Sequence, residues 1–126
     1  MEKKAADMVA DAKTRVENVT PEQLEKEIAD GAVVVDLREA EELASTGKIP
    51  GSIHAPRGLL EFKADPSHPF HIEGLDPEKR VVLHCASGGR SALAAETLSS
   101  MGYKNVAHMD GGITKWIEEG KPVDKG

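Results

Sequence analysis

Two short, uninterrupted apolar runs constrain the fold of this chain more than any other feature. Residues 32–35 read Ala-Val-Val-Val and residues 81–83 read Val-Val-Leu. A strand that is apolar at every position is typical of a parallel sheet covered on both faces, because neither of its faces meets water. Segments with helical patterns separate these runs, and strands that alternate with helices require right-handed crossovers. The pattern therefore predicts an α/β fold.

Further segments complete the predicted sheet. We expect a third strand over 105–109 and a brief one over 53–55, giving a three-layer fold with a central parallel sheet of about four to five strands and helices on both faces. One helix start is well marked, because Thr20 can cap the helix, Pro21 suits its first turn and Gln23 completes a capping box. Further helices are expected over 39–45, 91–101 and 112–119.

The chain length suits one domain. With 126 residues, the chain can bury one hydrophobic core. Residues 1–16 carry apolar side chains at helical spacing, and this helix either caps the domain or frays as an ordinary terminus, the outcome favoured here. We assign residues 1–18 to an N-terminal helical extension, 19–122 to the folded domain and 123–126 to a C-terminal tail.

The charge of the chain restricts its partners. A net charge of −6 and a pI near 5.3 argue against nucleic acid as a partner and against a general attraction to anionic membranes. No apolar run approaches the roughly 18 residues of a membrane span. The first fifteen residues lack the apolar stretch of a secretory signal, so we expect a cytoplasmic location.

The single cysteine, Cys85, stands between the second buried strand and a predicted helix. Ligands of open parallel sheets bind beyond the carboxyl ends of the strands. Gly88 and Gly89 allow the backbone to curl so that successive N–H groups point inward as an anion nest. The helix N-terminus and Arg90 add positive charge, which favours the nucleophilic thiolate. We interpret Cys85 as a nucleophile; the alternative is a structural cysteine in a plain strand-to-helix turn.

Four segments in consistent order resemble motifs of the rhodanese-like sulfurtransferases. Residues 84–91, His-Cys-Ala-Ser-Gly-Gly-Arg-Ser, resemble the active-site loop of that family. Residues 35–39 resemble its acidic-Arg strand end, and residues 47–53 resemble its Gly-x-Ile-Pro-Gly-Ala motif. Residues 109–112 together with Trp116 resemble its closing Gly-Gly and Trp signature.

The resemblance covers about residues 19–122 and implies a rhodanese-like fold that transfers sulfur through a persulfide on Cys85. It implies that Arg90 holds the anionic end of the donor. Arg57 is a second candidate anion ligand, with a solvated surface arginine as the alternative. The amides implied to hold the persulfide belong to Ala86, Ser87, Gly88 and Gly89.

The same resemblance suggests the reaction partners. The expected donor is a small molecule such as thiosulfate, and the expected acceptor is a thiol, with glutathione and thioredoxin as candidates. Cyanide would serve as an acceptor in the laboratory. We expect no cofactor, and no metal site either, because His68 and His71 have no further ligands at a recognisable spacing.

Residues around the loop receive structural interpretations. Asp36 and Arg38 are expected to brace neighbouring loops through hydrogen bonds and an ion pair. His84 is expected to pack in the core, because strand alternation directs it away from the face of its neighbour. Packing roles are expected for Gly111, Gly112 and Trp116. A solvated helix face is expected for Glu39, Glu41 and Glu42.

Two other function classes remain open at this point. Cys-dependent phosphatases and arsenate reductases place five residues between Cys and Arg, whereas four lie between Cys85 and Arg90. A phosphoryl group with three equatorial oxygens needs a wider ring of amides than a single sulfur atom. A non-catalytic binding module of the same fold would be expected to have lost the cysteine or its glycines, and this chain keeps both.

Overall fold

The structure is a computed structural model that describes residues 2–125. In chain order, its elements are α1 (Ala5–Arg15), β1 (Glu17–Val19), α2 (Pro21–Ala29), β2 (Val33–Asp36), α3 (Ala40–Thr46), β3 (Ile53–His54), a 3₁₀ turn (Arg57–Leu59), α4 (Leu60–Ala64), β4 (Arg80–His84), α5 (Gly89–Ser100), β5 (Asn105–Met109) and α6 (Gly112–Glu118). No helix among these residues is long and apolar enough to cross a membrane.

The five strands form one parallel sheet in the order β1-β5-β4-β2-β3. Val35 is paired with Leu83, and Leu83 is paired with His108. The two apolar runs therefore lie side by side in the middle of the sheet, as strands buried on both faces should. The predicted α/β class and parallel sheet are confirmed.

Two layers of side chains, one on each face of the sheet, form the core. The cluster against α4 and α5 comprises Val35, Leu37, Ala55, Leu60, Ala64, Leu75, Val81, Leu83, Cys85, Ala94, Ala95, Leu98 and Tyr103. The cluster against α2 and α6 comprises Val19, Leu24, Val34, Ile49, Val82, Ala107, Met109, Ile113 and Trp116. Helices thus cover both faces, as the three-layer prediction requires.

Strand β1 has no counterpart in the sequence-based prediction. Its three residues contain no apolar run, and only Val19 is buried. Glu17 is paired with Ala107 at the edge of the sheet, so partner strand β5 rather than local preference makes this segment a strand.

Helix α1 packs against α5 instead of fraying. Ala12 is fully buried, and Arg15 forms an ion pair with Glu96 on α5. The expectation that this helix frays is therefore wrong, because its small apolar face finds a partner. The division of the chain at residues 18 and 19 stays a prediction, and β1 spans that position.

Candidate active site

Cys85 lies directly after β4 and four residues before the start of α5. Helix α5 begins at Gly89, two residues earlier than predicted. Cys85 belongs to the core cluster against α5. Because neighbouring side chains alternate along a strand, that of His84 is directed to the other face of the sheet. Cys85 is a free thiol with an exposed fraction of only 1 %. The sulfur therefore sits at the carboxyl edge of the sheet, shielded by its own loop.

The loop presents a backbone donor to the sulfur. The amide N–H of Gly88 donates to Cys85 Sγ over 3.2 Å. Gly88 has φ +117°, a left-handed conformation that favours glycine, and a Cβ there would lie 3.1 Å from Asp110 Oδ1. The N-terminus of the twelve-residue helix α5 follows at once. Negative charge on the sulfur would thus meet an N–H group and the positive end of a helix dipole.

Helix α6 fixes the carbonyl groups of the same loop. Ile113 N–H donates to Cys85 O over 2.9 Å, and Thr114 N–H donates to Ala86 O over 3.1 Å. This approach requires Gly112, because a Cβ there would lie 2.4 Å from Cys85 O. The packing role of Gly112 is confirmed. Its consequence is that two loop carbonyls are bound to α6 rather than facing the anion site.

Arg90 points to a carboxylate on α3. Its two terminal nitrogens donate to Glu42 over 2.8 and 2.9 Å in a bidentate pair. The hydrogen bonds from Arg90 are the main reason that the pKa of Glu42 falls to about 2. The pKa of Arg90 is raised chiefly by Glu42, with a further contribution from Cys85. The expectation that Glu42 belongs to a merely solvated helix face is therefore wrong, whereas Glu39 and Glu41 are exposed.

The pair of Asp36 and Arg38 braces this side of the site, as predicted. Both side chains are buried, and Arg38 Nη2 lies 2.8 Å from Asp36 Oδ2. The remaining guanidinium donors reach Thr46 Oγ1 over 2.7 Å and Gly47 O over 2.8 Å. Although burial opposes ionisation, the hydrogen bonds and the charge of Arg38 lower the pKa of Asp36 overall. The pair anchors the end of α3 to the sheet, and α3 carries Glu42.

His84 is a core residue, as predicted. It is fully buried, and its Nδ1 lies 3.3 Å from the carbonyl oxygen of Cys85. Its Nε2 lies 3.6 Å from Asp36 Oδ2. Burial lowers the pKa of His84 despite the nearby carboxylate, which keeps the imidazole neutral at pH 7. His84 contacts the backbone of the cysteine rather than its sulfur.

Arg57 lies farther along α5. Its guanidinium donates to Glu61 over 3.0 Å and to Thr97 Oγ1 over 3.3 Å. Thr97 follows Gly89 by eight residues, which corresponds to about 12 Å of helix. The structure thus brings Arg90 to the loop and gives Arg57 partners away from it. The role of Arg57 as an anion ligand stays a prediction.

A groove of about 290 Å³ runs beside the loop. Its walls are formed by Arg38, Glu41, Glu42, Ser45, Thr46, Ala86, Ile113 and Thr114. A wider depression lies at the opposite end of the sheet, where Arg80 is bound by both Glu17 and Glu27. That depression contains no cysteine, and its main cation is already paired. The groove beside Cys85 is therefore the better place for a small reactant.

Three polar side chains that are connected to the sulfur through hydrogen bonds were not identified from the sequence. Ser91 Oγ lies 3.6 Å from Cys85 Sγ and 2.9 Å from His108 Nδ1. His108 Nε2 lies 2.6 Å from Asn18 Oδ1. These residues come from α5, β5 and β1, so only the folded sheet brings them together. The one local signal was a histidine within the largely apolar strand β5.

Across residues 2–125, no group of three or more His, Cys, Asp or Glu side chains is placed to hold a metal ion.

Comparison with known proteins agrees with this geometry. A sulfurtransferase from Allochromatium vinosum is 31% identical over 86% of this chain and 94% of its own length. The thiosulfate sulfurtransferase GlpE of Pseudomonas fluorescens is 37% identical over 78% of this chain and 82% of its own length. A protein of unknown function from Rhodopseudomonas palustris, described as a possible tyrosine phosphatase, has a TM-score of 0.90 and 38% identity, covering 98% of this chain and 96% of its own.

The sulfurtransferase relatives support rhodanese-type sulfur transfer as the general activity of this chain. The family model for the rhodanese-like domain matches residues 20–119. The match covers every element from α2 to α6, including the Cys85 loop and the turn of α6 that binds this loop. The chain therefore belongs to the rhodanese-like family.

Proposed function

We propose that this chain takes a sulfane sulfur onto Cys85 as a persulfide and passes it to a thiol. The observation that carries the proposal is the Gly88 amide directed at Cys85 Sγ over 3.2 Å, at the N-terminus of α5. Such a cradle stabilises a sulfur anion before and after transfer, since both the thiolate and the terminal persulfide sulfur carry negative charge.

Thiosulfate is the donor that we propose. The Cys85 thiolate attacks the outer sulfur of thiosulfate and forms a new S–S bond, while the original S–S bond breaks and sulfite leaves with its electron pair. A thiolate acceptor then attacks the outer sulfur of the persulfide and releases the Cys85 thiolate. No external oxidant or reductant enters either step. The proposed donor agrees with the name of the GlpE relative.

The role proposed for Arg90 is to hold the anionic end of the donor. This role requires competition, because Glu42 already occupies the guanidinium in a bidentate pair. The Arg90 side chain is 37% exposed, so an incoming anion can reach it without unfolding the loop. Ala86, Ser87 and Gly89 are proposed to add backbone donors when the persulfide is present.

The donor test is intact mass spectrometry after mixing with thiosulfate. We expect Cys85 to gain one sulfur atom, which cyanide or a thiol should remove. Because Cys85 is the only cysteine in the chain, Cys85→Ser should abolish both the mass gain and thiocyanate release. Retention of wild-type sulfur transfer by Cys85→Ser would contradict the proposal.

A phosphatase is the second candidate function, because the structurally similar protein from Rhodopseudomonas palustris is described as a possible tyrosine phosphatase. Against it, the loop has four residues between Cys85 and Arg90. Asp110, an acid close to the loop, is held by Lys13 at 2.9 Å and is bonded to the Gly111 amide. We expect negligible hydrolysis of p-nitrophenyl phosphate under conditions that give sulfur transfer. Phosphatase turnover without thiocyanate formation would reverse the choice.

A further inference from the structure

A continuous chain of polar atoms connects the buried sulfur to the edge of the sheet. Ser91 and His108 are both fully buried, and the proposed sulfur transfer does not yet use either of them. The path runs from Cys85 Sγ to Ser91 Oγ over 3.6 Å and on to His108 Nδ1 over 2.9 Å. It ends at Asn18 Oδ1, which lies 2.6 Å from His108 Nε2. Asn18 itself is exposed.

The orientation of the Asn18 amide sets the direction of the hydrogen bonds. Its Nδ2 donates to Lys13 O and Val16 O, each over 3.0 Å. The carbonyl oxygen Oδ1 therefore faces His108, and it can only accept. His108 Nε2 must then carry the hydrogen, which leaves a lone pair on Nδ1 in the neutral ring.

A lone pair on Nδ1 orients the serine in turn. The Ser91 hydroxyl donates to His108 Nδ1 over 2.9 Å, in preference to the more distant Gly88 O at 3.3 Å. Its oxygen is then free to accept from the Cys85 thiol. The donors therefore run in one direction from sulfur to imidazole, which is the arrangement that proton transfer requires.

We propose that Ser91 and His108 relay the proton of the Cys85 thiol away from the sulfur, and that Asn18 is a positioning residue that selects the histidine tautomer. The thiol gives its proton to Ser91 Oγ while the serine gives its own to His108 Nδ1. One S–H bond breaks and one N–H bond forms, which produces a thiolate and an imidazolium while the net charge of the site stays the same. The Ser91 hydroxyl then donates back to the thiolate, which gives the sulfur a second donor beside Gly88.

His108 has a lone pair on Nδ1 to accept this proton because its ring is neutral, and two opposite charges lie nearby. Burial lowers its pKa, so the ring is neutral in the resting protein. Asp110 on the following turn favours the imidazolium, and Lys13 on α1 opposes it. Those two groups form an ion pair at 2.9 Å, so their effects partly cancel. A Cys85 thiolate at the other end of the chain of hydrogen bonds would also stabilise the imidazolium.

The relay would give the segment that precedes α2 a role in the chemistry of Cys85. Lys13, Val16 and Asn18 all precede the region that the family model matches, residues 20–119. Helix α1 also reaches the start of α5, where a Val9 methyl group lies 3.6 Å from the position of a Cβ on Gly89. The segment before α2 would thus contribute to the chemistry of the loop as well as to packing.

Alkylation of Cys85 by iodoacetamide, followed across pH in the full chain, tests the relay. Ser91→Ala and His108→Gln should each slow alkylation at pH 7 by about tenfold, the loss of one hydrogen bond to a charged group, and should move the pH profile to higher pH. The double variant should fall no further than the slower single variant, because both act in one chain. The matched controls Ser100→Ala and His68→Gln should follow the wild-type profile.

Because Ser91 and His108 are buried, thermal unfolding of each variant accompanies the assay. Asn18→Ala removes only an exposed side chain, and we expect it to slow alkylation at pH 7 by about threefold, a fraction of one hydrogen bond. If the Ser91 and His108 variants do not fold, the alkylation profile of Asn18→Ala alone tests the relay. A wild-type profile in the folded variants would overturn the relay.

The proposal rests on the proposed function for its purpose but not for its test. Alkylation needs no sulfur donor and no acceptor. Shifted profiles in a protein that thiosulfate fails to load would contradict the sulfur-transfer proposal and leave the relay standing. Normal loading together with unshifted alkylation profiles would contradict the relay and leave the sulfur-transfer proposal standing.

Discussion

The Cys85 loop is held from two sides by different kinds of interaction. On one side lies the backbone wall, residues 111–114, where amide groups of α6 bind loop carbonyls and a missing Cβ permits the contact. On the other lies the charged wall, residues 36–42, where ion pairs hold α3 and Arg90. Amide bonds do not titrate and respond little to salt, whereas ion pairs can be exchanged. The backbone wall therefore fixes the shape of the cradle, and the charged wall supplies charges that can be exchanged.

The charged wall itself contains two different pairs. Arg38 is 1% exposed and Arg90 is 37% exposed. A buried ion pair is costly to break, because the remaining charge has no water to solvate it. A partly exposed pair contributes little and can be replaced by an incoming anion. The deep pair therefore serves structure, and the outer pair is available to a substrate.

The largest effect is expected from breaking the deep pair. Asp36→Asn should leave Arg38 buried without its counter-charge and lower the free energy of unfolding by about 3–5 kcal/mol. Urea unfolding at pH 7 measures this loss. Asp30→Asn, on an exposed turn, is the matched control and should change stability by less than about 0.5 kcal/mol. A loss below about 1 kcal/mol in Asp36→Asn would show that the deep pair is not structural.

Next in size is a change to the backbone wall. Gly112→Ala places a methyl group 2.4 Å from Cys85 O at a residue with φ +57°, so we expect a loss of about 1–3 kcal/mol in stability and a greater proportional loss of thiosulfate loading. Gly120→Ala is the matched control, since φ is +75° there but nothing lies within 4 Å of the new methyl group. Equal loading by the two variants would mean that α6 does not shape the cradle.

Whether a feature could be predicted from the sequence depends on whether neighbouring or distant residues determine it. The Cys85 loop and the strand before it are local patterns, so their position at the carboxyl edge of the sheet was predictable from neighbouring residues. The pairing of Glu42 with Arg90 joins positions 48 residues apart, and nothing in the helix around Glu42 indicates it. The same holds for Ser91, His108 and Asn18, which three different elements bring together.

The N-terminal segment shows the physical reason most clearly. Its three-residue strand, Glu17–Val19, has no strand-like pattern of its own. It becomes a strand because β5 offers an unpaired edge and α1 packs on α5. Local preference is a weak guide where tertiary pairing supplies the stabilisation. The sequence could therefore predict the centre of the sheet but not its β1 edge.

A smaller effect is expected from opening the outer pair. Glu42→Gln should free Arg90 for the donor and lower the apparent KM for thiosulfate by about fivefold, the upper range for an exposed ion pair. Steady-state thiocyanate release measures this change. Glu118→Gln removes the same charge from an exposed position on α6 that does not line the groove, so its KM should stay near that of the wild type. Equal KM values in all three proteins would remove Glu42 as a competitor for the donor site.

The smallest effect concerns the acid stability of the outer pair. Arg90 lowers the pKa of Glu42 in the folded protein from 4.5 to about 2. A depressed pKa means that the pair stabilises the fold fully above pH 4.5 and that this contribution declines as pH falls toward 2. Wild type should therefore lose slightly more stability than Glu42→Gln over this window, by less than about 1 kcal/mol because the pair is partly exposed. Other carboxylates, including Asp36, titrate in both proteins, so their contributions cancel in the difference. Urea unfolding of both proteins at pH 5 and near pH 3 measures it. If the two proteins lost stability in parallel, Arg90 would not bind Glu42 in solution, and the site would already be open to an anion.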